Sequence, residues 1–317
     1  MNLTFKPVGT SGIAIAPLVF GGNVFGWTAD QAASFAILDR LLDAGLTTID
    51  TADVYSRWHP GNQGGESETI LGAWFASRGP GARRRVQLIT KVGMDHGLAP
   101  AHIERAAEAS LKRLRTDHID IYFSHRWDGT VPQEDTLAAY DRLIRAGKVR
   151  AIGASNFTAE QVRAALDVAR RDNLPRYQIL EPNYSLAERA LFEGPLAQVA
   201  IEQGLAVIPY YALASGFLSG KYRSEADLAG QARSEGVRKY LNPHGLGILA
   251  ALDAVAARHH AALAAVAIAW IMRRPGITAP IASASRVSQI DALIQATQLE
   301  LTAEDMTQLT AASDPAR

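Results

Sequence analysis

The chain has 317 residues, of which 48% are hydrophobic and 20% charged, a balance typical of a globular protein that buries a sizeable core. Lys and Arg together number 32, as do Asp and Glu, so no basic footprint indicates nucleic-acid binding, and the short run Arg83–Arg85 is interpreted as a solvated loop. The absence of cysteine excludes disulfides, thiolate metal sites and a Cys nucleophile, and it agrees with a reducing, cytoplasmic location.

No segment of the sequence has the pattern of a signal peptide or a membrane span. The stretch MNLTFKPVGTSG lacks a basic region followed by an apolar one, and no uninterrupted run reaches about 18 apolar residues. The Ala-rich stretch HHAALAAVAIAWIM is the nearest candidate and is interpreted as a buried helix. We therefore expect no contact with a membrane.

The elements in chain order begin with two short alternating runs around Gly9–Gly12, which predict a β-hairpin that caps the bottom of the fold. Eight strand-like runs follow: LVFGG, LTTID, VQLITK, IDIYFSH, VRAIGASN, YQILEPN, LAVIPYY and APIASAS. Helical spacing of apolar residues predicts helices at Ala29–Ala44, Glu66–Ser77, Ala101–Leu114, Glu134–Ala146, Ala159–Arg170, Glu188–Gln203, Gly247–His260 and Val287–Thr297. Thr158 and Gln161 fit a capping box, Pro100 fits a helix start, and Gly45 fits a helix end.

This alternation of strands and helices predicts the fold class. Consecutive parallel strands need a long connection, and a helix supplies one. Eight such units without a break in composition predict an α/β protein, a closed (β/α)₈ TIM barrel in which residues 1–317 form a single domain. A doubly wound sheet is the alternative, but the turn GGNVFGW lacks its G-x-G-x-x-G fingerprint.

Polar residues that end an apolar run are the candidate site residues, because chemistry in such a barrel lies at the carboxyl ends of the strands. Asp50 ends the second strand, Lys91 the third, His125 the fourth, Ser155 and Asn156 the fifth, and Tyr210 and Tyr211 the seventh, while Gln178 lies in the sixth. Asp117 and Asp120 flank the start of the fourth strand, at the opposite end, and are assigned to stability.

Tyr55 follows Asp50 by five residues, and the two suggest proton transfer together with Lys91 and His125. A free phenol has a pKa near 10, and an adjacent ammonium such as that of Lys91 would lower it. Asp50 can hold Lys91 through a salt bridge, and His125 can orient a carbonyl oxygen, which would make Tyr55 a general acid. Each residue alone also has an ordinary structural interpretation, and only their combination at successive strand ends favours catalysis.

Other catalytic patterns are less consistent with the sequence. His259 and His260 lie in a helical pattern without a carboxylate at ligand spacing, and the other histidines are isolated, so no metal is expected. Ser155 stands in GASNF, which does not match the G-x-S-x-G of a nucleophile elbow.

Five motifs in this order, IDTADVY, LITKVG, IYFSHRWD, AIGASNF and PIASASRVSQ, resemble those of the aldo-keto reductases. The similarity extends from about residue 5 to residue 309. It implies a (β/α)₈ barrel that reduces the carbonyl group of aldehydes or ketones with NADPH, so that NADP(H) is the cofactor. It also implies that Asp50, Tyr55, Lys91 and His125 form the catalytic tetrad, with Tyr55 as the proton donor.

The resemblance also implies a set of cofactor contacts. Ser155, Asn156 and Gln178 would hydrogen-bond the nicotinamide carboxamide, and Tyr210 would stack on the nicotinamide ring. The further implied contacts are Gly22 and Asp50, the pyrophosphate loop residues Leu213, Ser215, Gly216, Leu218 and Lys221, and the adenosine 2′-phosphate residues Ser283, Ser285, Arg286 and Gln289. Arg286 can make a charge-assisted, bidentate contact with a phosphate.

Two departures from the family pattern stand out. Leu293 occupies the place of an Asn that often contacts adenine, and Tyr211–Ala212 replaces the usual Ser-Pro after the stacking aromatic.

Trp27, Trp58 and Trp127 follow strands one, two and four, where they could wall an apolar substrate pocket or simply pack under long loops. The expected partner is a small-molecule carbonyl substrate. Two other classes of function stay open: a nucleotide-binding regulatory barrel with weak or no turnover, and a metal-free lyase or isomerase that uses Lys91 as a Schiff base.

Overall fold

The computed structural model describes residues 3–315, which form an α/β barrel. Its strands are β1 (Lys6–Pro7), β2 (Ala14–Ile15), β3 (Val19–Gly21), β4 (Thr48–Asp50), β5 (Gln87–Val92), β6 (Ile119–Ser124), β7 (Val149–Ser155), β8 (Ile179–Glu181), β9 (Ala206–Val207) and β10 (Ile281–Ala282). Its helices are α1 (Gln31–Ala44), α2 (Glu66–Arg78), α3 (Pro80–Arg85), α4 (Pro100–Leu114), α5 (Gln133–Arg145), α6 (Ala159–Arg171), α7 (Pro195–Glu202), α8 (Ser234–Arg238), α9 (Pro243–His259), α10 (Leu263–Met272), α11 (Ile290–Gln298) and α12 (Ala303–Ala312).

Strands β3 to β10 form a parallel sheet in the order β10-β3-β4-β5-β6-β7-β8-β9. The backbone nitrogens of Thr278 and Ile281 donate to the carbonyl oxygens of Val207 and Pro209, at 2.8 Å each, and these bonds join the segment leading into β10 to that of β9. The predicted (β/α)₈ barrel is confirmed, with all eight strand-like runs in the sheet.

The hairpin of β1 and β2 lies at the amino end of the barrel, as predicted. Its apolar side chains Val8, Ile13 and Ile15 are buried together with inward-facing strand residues such as Ile121 and Phe123. A separate and larger apolar core lies between the strands and the surrounding helices. Since the hairpin covers the amino end, the carboxyl end is the one left for a site.

Local signals explain where several helices begin and end. The capping box at Thr158 and Gln161 is present at the start of α6, and Pro100 is the first residue of α4. Gly45 has a φ of 78°, and its N–H donates to the carbonyl oxygens of Leu41 and Leu42 at the end of α1. These three predictions are confirmed.

Two predicted segments differ in the structure. The helix predicted over Glu188–Gln203 is formed only by α7, because Gly194 has a φ of 99° and Pro195 then starts a new helix. The run Arg83–Arg85 ends the short helix α3 rather than lying in a loop. The Arg83 guanidinium is partly buried and donates to the carboxylate of Asp120, so the interpretation as a solvated loop was wrong.

Within residues 3–315, no single helix combines the length and the apolar character that a membrane span requires. Helices α9 and α10 meet those criteria only when taken together, and they are bent by 96° relative to each other.

Candidate active site

The alternation of side chains along three strands directs charged groups into the carboxyl end of the barrel. In β5, Ile89 belongs to the inner core, so Lys91, two residues later, lies on the same side. In β8, Ile179 is in the inner core and Glu181 follows at the same spacing. Asp50 is the last residue of β4 and is also buried, so three charged side chains come together inside the rim.

Lys91 is the centre of this group. Its Nζ donates to Asp50 Oδ1 and, at 3.1 Å, to the carbonyl oxygen of Thr51. The Tyr55 oxygen lies 2.9 Å from the same Nζ, and its hydroxyl donates to Asp50 Oδ2 at 3.0 Å. The structure thus brings Asp50, Tyr55 and Lys91 into direct contact, and Tyr55 lines a cavity.

Burial determines the protonation state of Tyr55. The pKa of its hydroxyl is raised well above the ordinary value, first by burial and then by the neighbouring carboxylate of Asp50. The sequence predicted a pKa lowered by the Lys91 ammonium, whereas the net shift is upward, because the loss of solvent and the Asp50 carboxylate outweigh one cation. At neutral pH the phenol keeps its proton, which is the state that a proton donor requires.

His125 lies across from Tyr55, with 6.1 Å between the ring centroids, and it also lines the cavity. Burial, followed by the positive charge of Lys91, lowers the pKa of the imidazole well below its ordinary value, so the ring is neutral. Its Nδ1 is buried and has no hydrogen-bond partner within residues 3–315. A neutral imidazole has one donor nitrogen and can therefore hydrogen-bond a carbonyl oxygen.

Ser155 and Asn156, at the end of β7, form a polar network beside this group. The Ser155 hydroxyl donates to the carbonyl oxygen of Glu181 at 2.9 Å, and Asn156 Nδ2 donates to that of His125 at 2.9 Å. The Tyr210 hydroxyl donates to Asn156 Oδ1 at 2.7 Å. Asn156 has a φ of 57°, in the left-handed region that Asn tolerates better than most residues. The network holds an amide and a phenol on the cavity wall.

The cavity has a volume of about 780 Å³ and extends from Asp50, Tyr55 and His125 to the segment after β10. Most residues predicted for the site lie on its wall: Asp50, Tyr55, His125, Ser155, Asn156, Tyr210, Leu213, Ser215, Gly216, Lys221, Ser283, Ser285, Gln289 and Trp58. Leu293 and Tyr211, at which the sequence departs from the family pattern, line it as well. Lys91 lies behind this wall, where it contacts Tyr55.

Several predicted cofactor contacts do not lie on the cavity wall. Gln178 precedes β8 and lies at the amino end of the barrel, where its Oε1 accepts from the Thr10 backbone N–H at 2.9 Å. The structure therefore does not bring Gln178 to the rim, since a side chain that binds the hairpin cannot also reach the carboxyl end. Gly22 and Leu218 are buried beneath the wall, and Arg286 is exposed beside Ser285.

The three predicted tryptophans are separated. Trp58 lines the cavity, is 46% exposed and lies 6.1 Å from the Tyr55 ring, between ring centroids. The Trp27 ring contacts the Trp58 ring edge-on, with 5.6 Å between the ring centroids. Trp127 packs against Phe157 and is not on the wall, because its ring turns toward the outer core.

Several wall residues were not predicted as site residues, and Glu181 and Arg233 are two of them. Glu181 ends β8, and the rule that a polar residue after an apolar run faces the rim would have identified it. Arg233 belongs to a long irregular stretch, where no local pattern marks it. Its guanidinium lies over the Trp27 ring at 5.1 Å and makes no hydrogen bond or salt bridge within the described part of the chain. Burial lowers the Arg233 pKa, as for a cation that has lost water.

The chain belongs to the aldo/keto reductase family, whose model matches residues 17–314. It is an oxidoreductase of a family that generally uses nicotinamide cofactors. An "Uncharacterized oxidoreductase YrpG" of Bacillus subtilis is 33% identical over 314 residues, 95% of this chain and 93% of its own length. "Aldo-keto reductase YhdN" of the same organism is 34% identical over 306 residues, 93% of this chain and 87% of its own length. A short protein of Pseudescherichia vulneris, "Uncharacterized 11.2 kDa protein in crtE 3'region", is 63% identical over 93 residues, 29% of this chain and 89% of its own length.

Proposed function

We propose that this protein transfers hydride from NADPH to the carbonyl group of an aldehyde or ketone, with Tyr55 as the proton donor. The observation that carries the proposal is the position of the Tyr55 hydroxyl. It lies between Lys91 Nζ, at 2.9 Å, and Asp50 Oδ2, at 3.0 Å, and Tyr55 is one of the residues that line the cavity. A protonated phenol held in this way can protonate the oxygen of a bound carbonyl.

The cavity fits a nicotinamide dinucleotide in both size and chemistry. Its volume of about 780 Å³ lies within the range of cofactor sites. Its wall includes His125, whose Nδ1 has no hydrogen-bond partner within residues 3–315, and a neutral imidazole can hydrogen-bond a polar group of a ligand. Lys221 and the unpaired Arg233 guanidinium add positive charge, which suits an anionic, phosphate-bearing ligand.

Each residue of the tetrad has a separate task in the proposed reaction. When bound, the reduced nicotinamide supplies the hydride. Tyr55 gives its proton to the carbonyl oxygen as that oxygen becomes negative, and the Lys91 ammonium stabilises the phenolate that remains. Asp50 is not an acid or a base; it holds Lys91 and accepts from Tyr55. The neutral His125 orients the carbonyl oxygen. The product alcohol carries the transferred hydride on its carbon and the proton from Tyr55 on its oxygen.

The preference for NADPH is assigned to Arg286, which is exposed beside the wall residues Ser285 and Gln289. A guanidinium can bind a 2′-phosphate through two hydrogen bonds, and NADH lacks this group. We expect Arg286→Ala to weaken NADPH binding by at least about tenfold and to leave NADH binding nearly unchanged. Arg273→Ala is the matched control, because Arg273 is exposed just after the carboxyl-terminal end of α10, away from the cavity. Equal losses for both cofactors would contradict the assignment.

The hydride-transfer proposal is tested by following NADPH absorbance with a panel of aromatic aldehydes. We expect Tyr55→Phe to lower kcat by about 10²–10⁴-fold with NADPH affinity retained. Tyr240→Phe is the control, because this buried tyrosine donates to Glu188 at 3.0 Å, outside the cavity wall. Native turnover in Tyr55→Phe would exclude the mechanism. Tight NADPH binding without turnover of any carbonyl would favour a regulatory barrel instead.

A further inference from the structure

Glu181 is a buried acid on the cavity wall that the proposed reaction leaves without a task. It is 3% exposed, and its Oε1 lies 3.4 Å from Lys91 Nζ. Its Oε2 is buried and has no hydrogen-bond partner within residues 3–315. Ser155 bonds only the backbone oxygen of Glu181, so it does not satisfy the carboxyl group.

The donors of Lys91 are already in use. An ammonium has three N–H groups, and those of Lys91 are directed to Asp50 Oδ1, the Thr51 carbonyl oxygen and the Tyr55 hydroxyl oxygen. The contact of Lys91 Nζ with Glu181 Oε1 is longer than those three hydrogen bonds, at 3.4 Å. An ionised Glu181 could therefore gain a hydrogen bond from Lys91 only at the expense of one of the other three acceptors.

The charges around Glu181 indicate which carboxyl group holds a proton. The groups facing it are Lys91 from β5, Asp50 and Tyr55 from the end of β4 and the turn after it, and Tyr210 from the segment after β9. Lys91 is the one cation among them. Burial and then the Asp50 charge raise the pKa of Glu181 well above its ordinary value.

Burial also raises the pKa of Asp50, but Lys91 and Tyr55 both hydrogen-bond that carboxylate. Glu181 has only the longer contact with Lys91, 3.4 Å from Nζ to Oε1, and its Oε2 has no hydrogen-bond partner within residues 3–315. Asp50 is therefore the ionised member of the pair and Glu181 the protonated one, because hydrogen bonds to a carboxylate favour its charged form.

We propose that Glu181 is a positioning residue that sets an upper pH limit on turnover. As a neutral acid it lets the Lys91 ammonium stay in contact with Asp50 and Tyr55. When Glu181 is ionised, it draws that ammonium away from Tyr55. The inference rests on the proposed function. Loss of the Glu181 proton adds a second negative charge beside the phenol and competes for the cation that stabilises the phenolate. Both effects oppose proton donation by Tyr55.

The first test is the pH profile of kcat for the native protein and for Glu181→Gln, an isosteric side chain that cannot ionise. We expect similar rates near neutral pH. At alkaline pH the native rate should fall by about tenfold per pH unit, and the fall should begin at higher pH in the variant. Glu188→Gln is the matched control, because Glu188 lies near Tyr210 but binds Lys239 and Tyr240 instead of Lys91. An unchanged alkaline limb in Glu181→Gln would overturn the inference.

The second test does not depend on turnover. Infrared difference spectra of the ligand-free protein, native minus Glu181→Gln, should contain the band of a protonated carboxylic acid at neutral pH and lose it at alkaline pH. Absence of this band at neutral pH would overturn the inference even in an active enzyme. Absence of carbonyl reduction by the native protein at every pH would instead overturn the proposed function, so the two failures are distinguishable.

Discussion

At the amino end of the barrel, Asp120 is enclosed by donors. Its Oδ2 accepts from Arg83 Nη2 and from the backbone N–H of Leu88, each at 3.0 Å, and its Oδ1 accepts from Arg150 Nη1 at 2.6 Å. At the carboxyl end, Glu181 competes with Asp50 for the one ammonium of Lys91: its Oε1 lies 3.4 Å from Nζ, and its Oε2 has no hydrogen-bond partner within residues 3–315. Both carboxyl groups are almost fully buried.

Buried charge has a structural role at the amino end of the barrel and a functional role at the carboxyl end. Two guanidinium groups and a backbone N–H compensate the lost hydration of Asp120, so its burial supports the fold. At the carboxyl end, burial is only partly compensated: Glu181 Oε2, His125 Nδ1 and Asp53 Oδ1 all lack partners within residues 3–315. Polar atoms in this state destabilise the folded protein.

The largest expected effect is on catalysis at the carboxyl end. Lys91→Met removes the cation that holds Tyr55 and Asp50, and we expect kcat for carbonyl reduction to fall by about 10²–10⁴-fold. Steady-state kinetics with saturating NADPH measures this loss. Lys148→Met is the control, because Lys148 is an exposed lysine paired with Glu108 on the outside of the barrel. A rate within a few-fold of native would remove Lys91 from the mechanism.

At the amino end of the barrel, we expect a substitution to lower stability rather than catalytic activity. Asp120→Ala leaves the largely buried Arg83 guanidinium without its carboxylate, and we expect a loss of about 3–5 kcal/mol in the free energy of unfolding. Urea denaturation measures it, and kcat of the folded fraction should not change. Asp117→Ala is the matched control, since that side chain is 92% exposed and should change stability by less than about 0.5 kcal/mol. Equal effects of the two variants would remove the contrast between the ends.

The pH dependence of stability tests how much the buried Asp53 carboxyl group destabilises the protein at the carboxyl end of the barrel. Burial, and then the Glu68 charge, raise its pKa from 3.8 to about 7, so between about pH 4 and 7 the folded protein binds a proton that the unfolded chain has lost. Stability is therefore lost as pH rises through this window, and Asp53→Asn abolishes the loss. We expect the variant to be more stable than the native protein by about 2–4 kcal/mol at pH 8 and equal to it near pH 3.

Chemical denaturation at both pH values measures this difference, with Asp43→Asn, a change at an exposed position, as the control. A pH-independent difference between Asp53→Asn and the native protein would mean that Asp53 does not titrate in this window.

The smallest expected effect concerns Gln178. Its Oε1 accepts from the backbone N–H and the hydroxyl of Thr10, at 2.9 and 3.2 Å, so Gln178→Ala should lower the free energy of unfolding by about 1 kcal/mol. NADPH affinity should not change, because Gln178 lies at the hairpin end. Fluorescence titration with NADPH measures this affinity. Weaker NADPH binding by Gln178→Ala at unchanged stability would contradict the assigned position.

Gln178 and Glu181 show which part of the site around strand β8 could be predicted from the sequence. In YQILEPN, Gln178 precedes the short apolar run and Glu181 follows it, and either side chain is polar enough to hydrogen-bond a cofactor amide. Chain direction decides between them, since only the residue after the run faces the carboxyl end. The resemblance favoured Gln178, whereas the direction of the strand places Glu181 on the rim.

Local sequence determined the barrel, because eight apolar runs and the helices between them have periods that short segments impose by themselves. It also determined that Asp50, Lys91 and His125 would meet, since parallel strands bring their carboxyl ends to one rim. Only the tertiary structure decided the protonation states. Burial raises the Tyr55 pKa although a cation touches the phenol, because the low-dielectric interior and the Asp50 carboxylate act on it together. Desolvation depends on what surrounds a group in space, and no spacing along the chain encodes it.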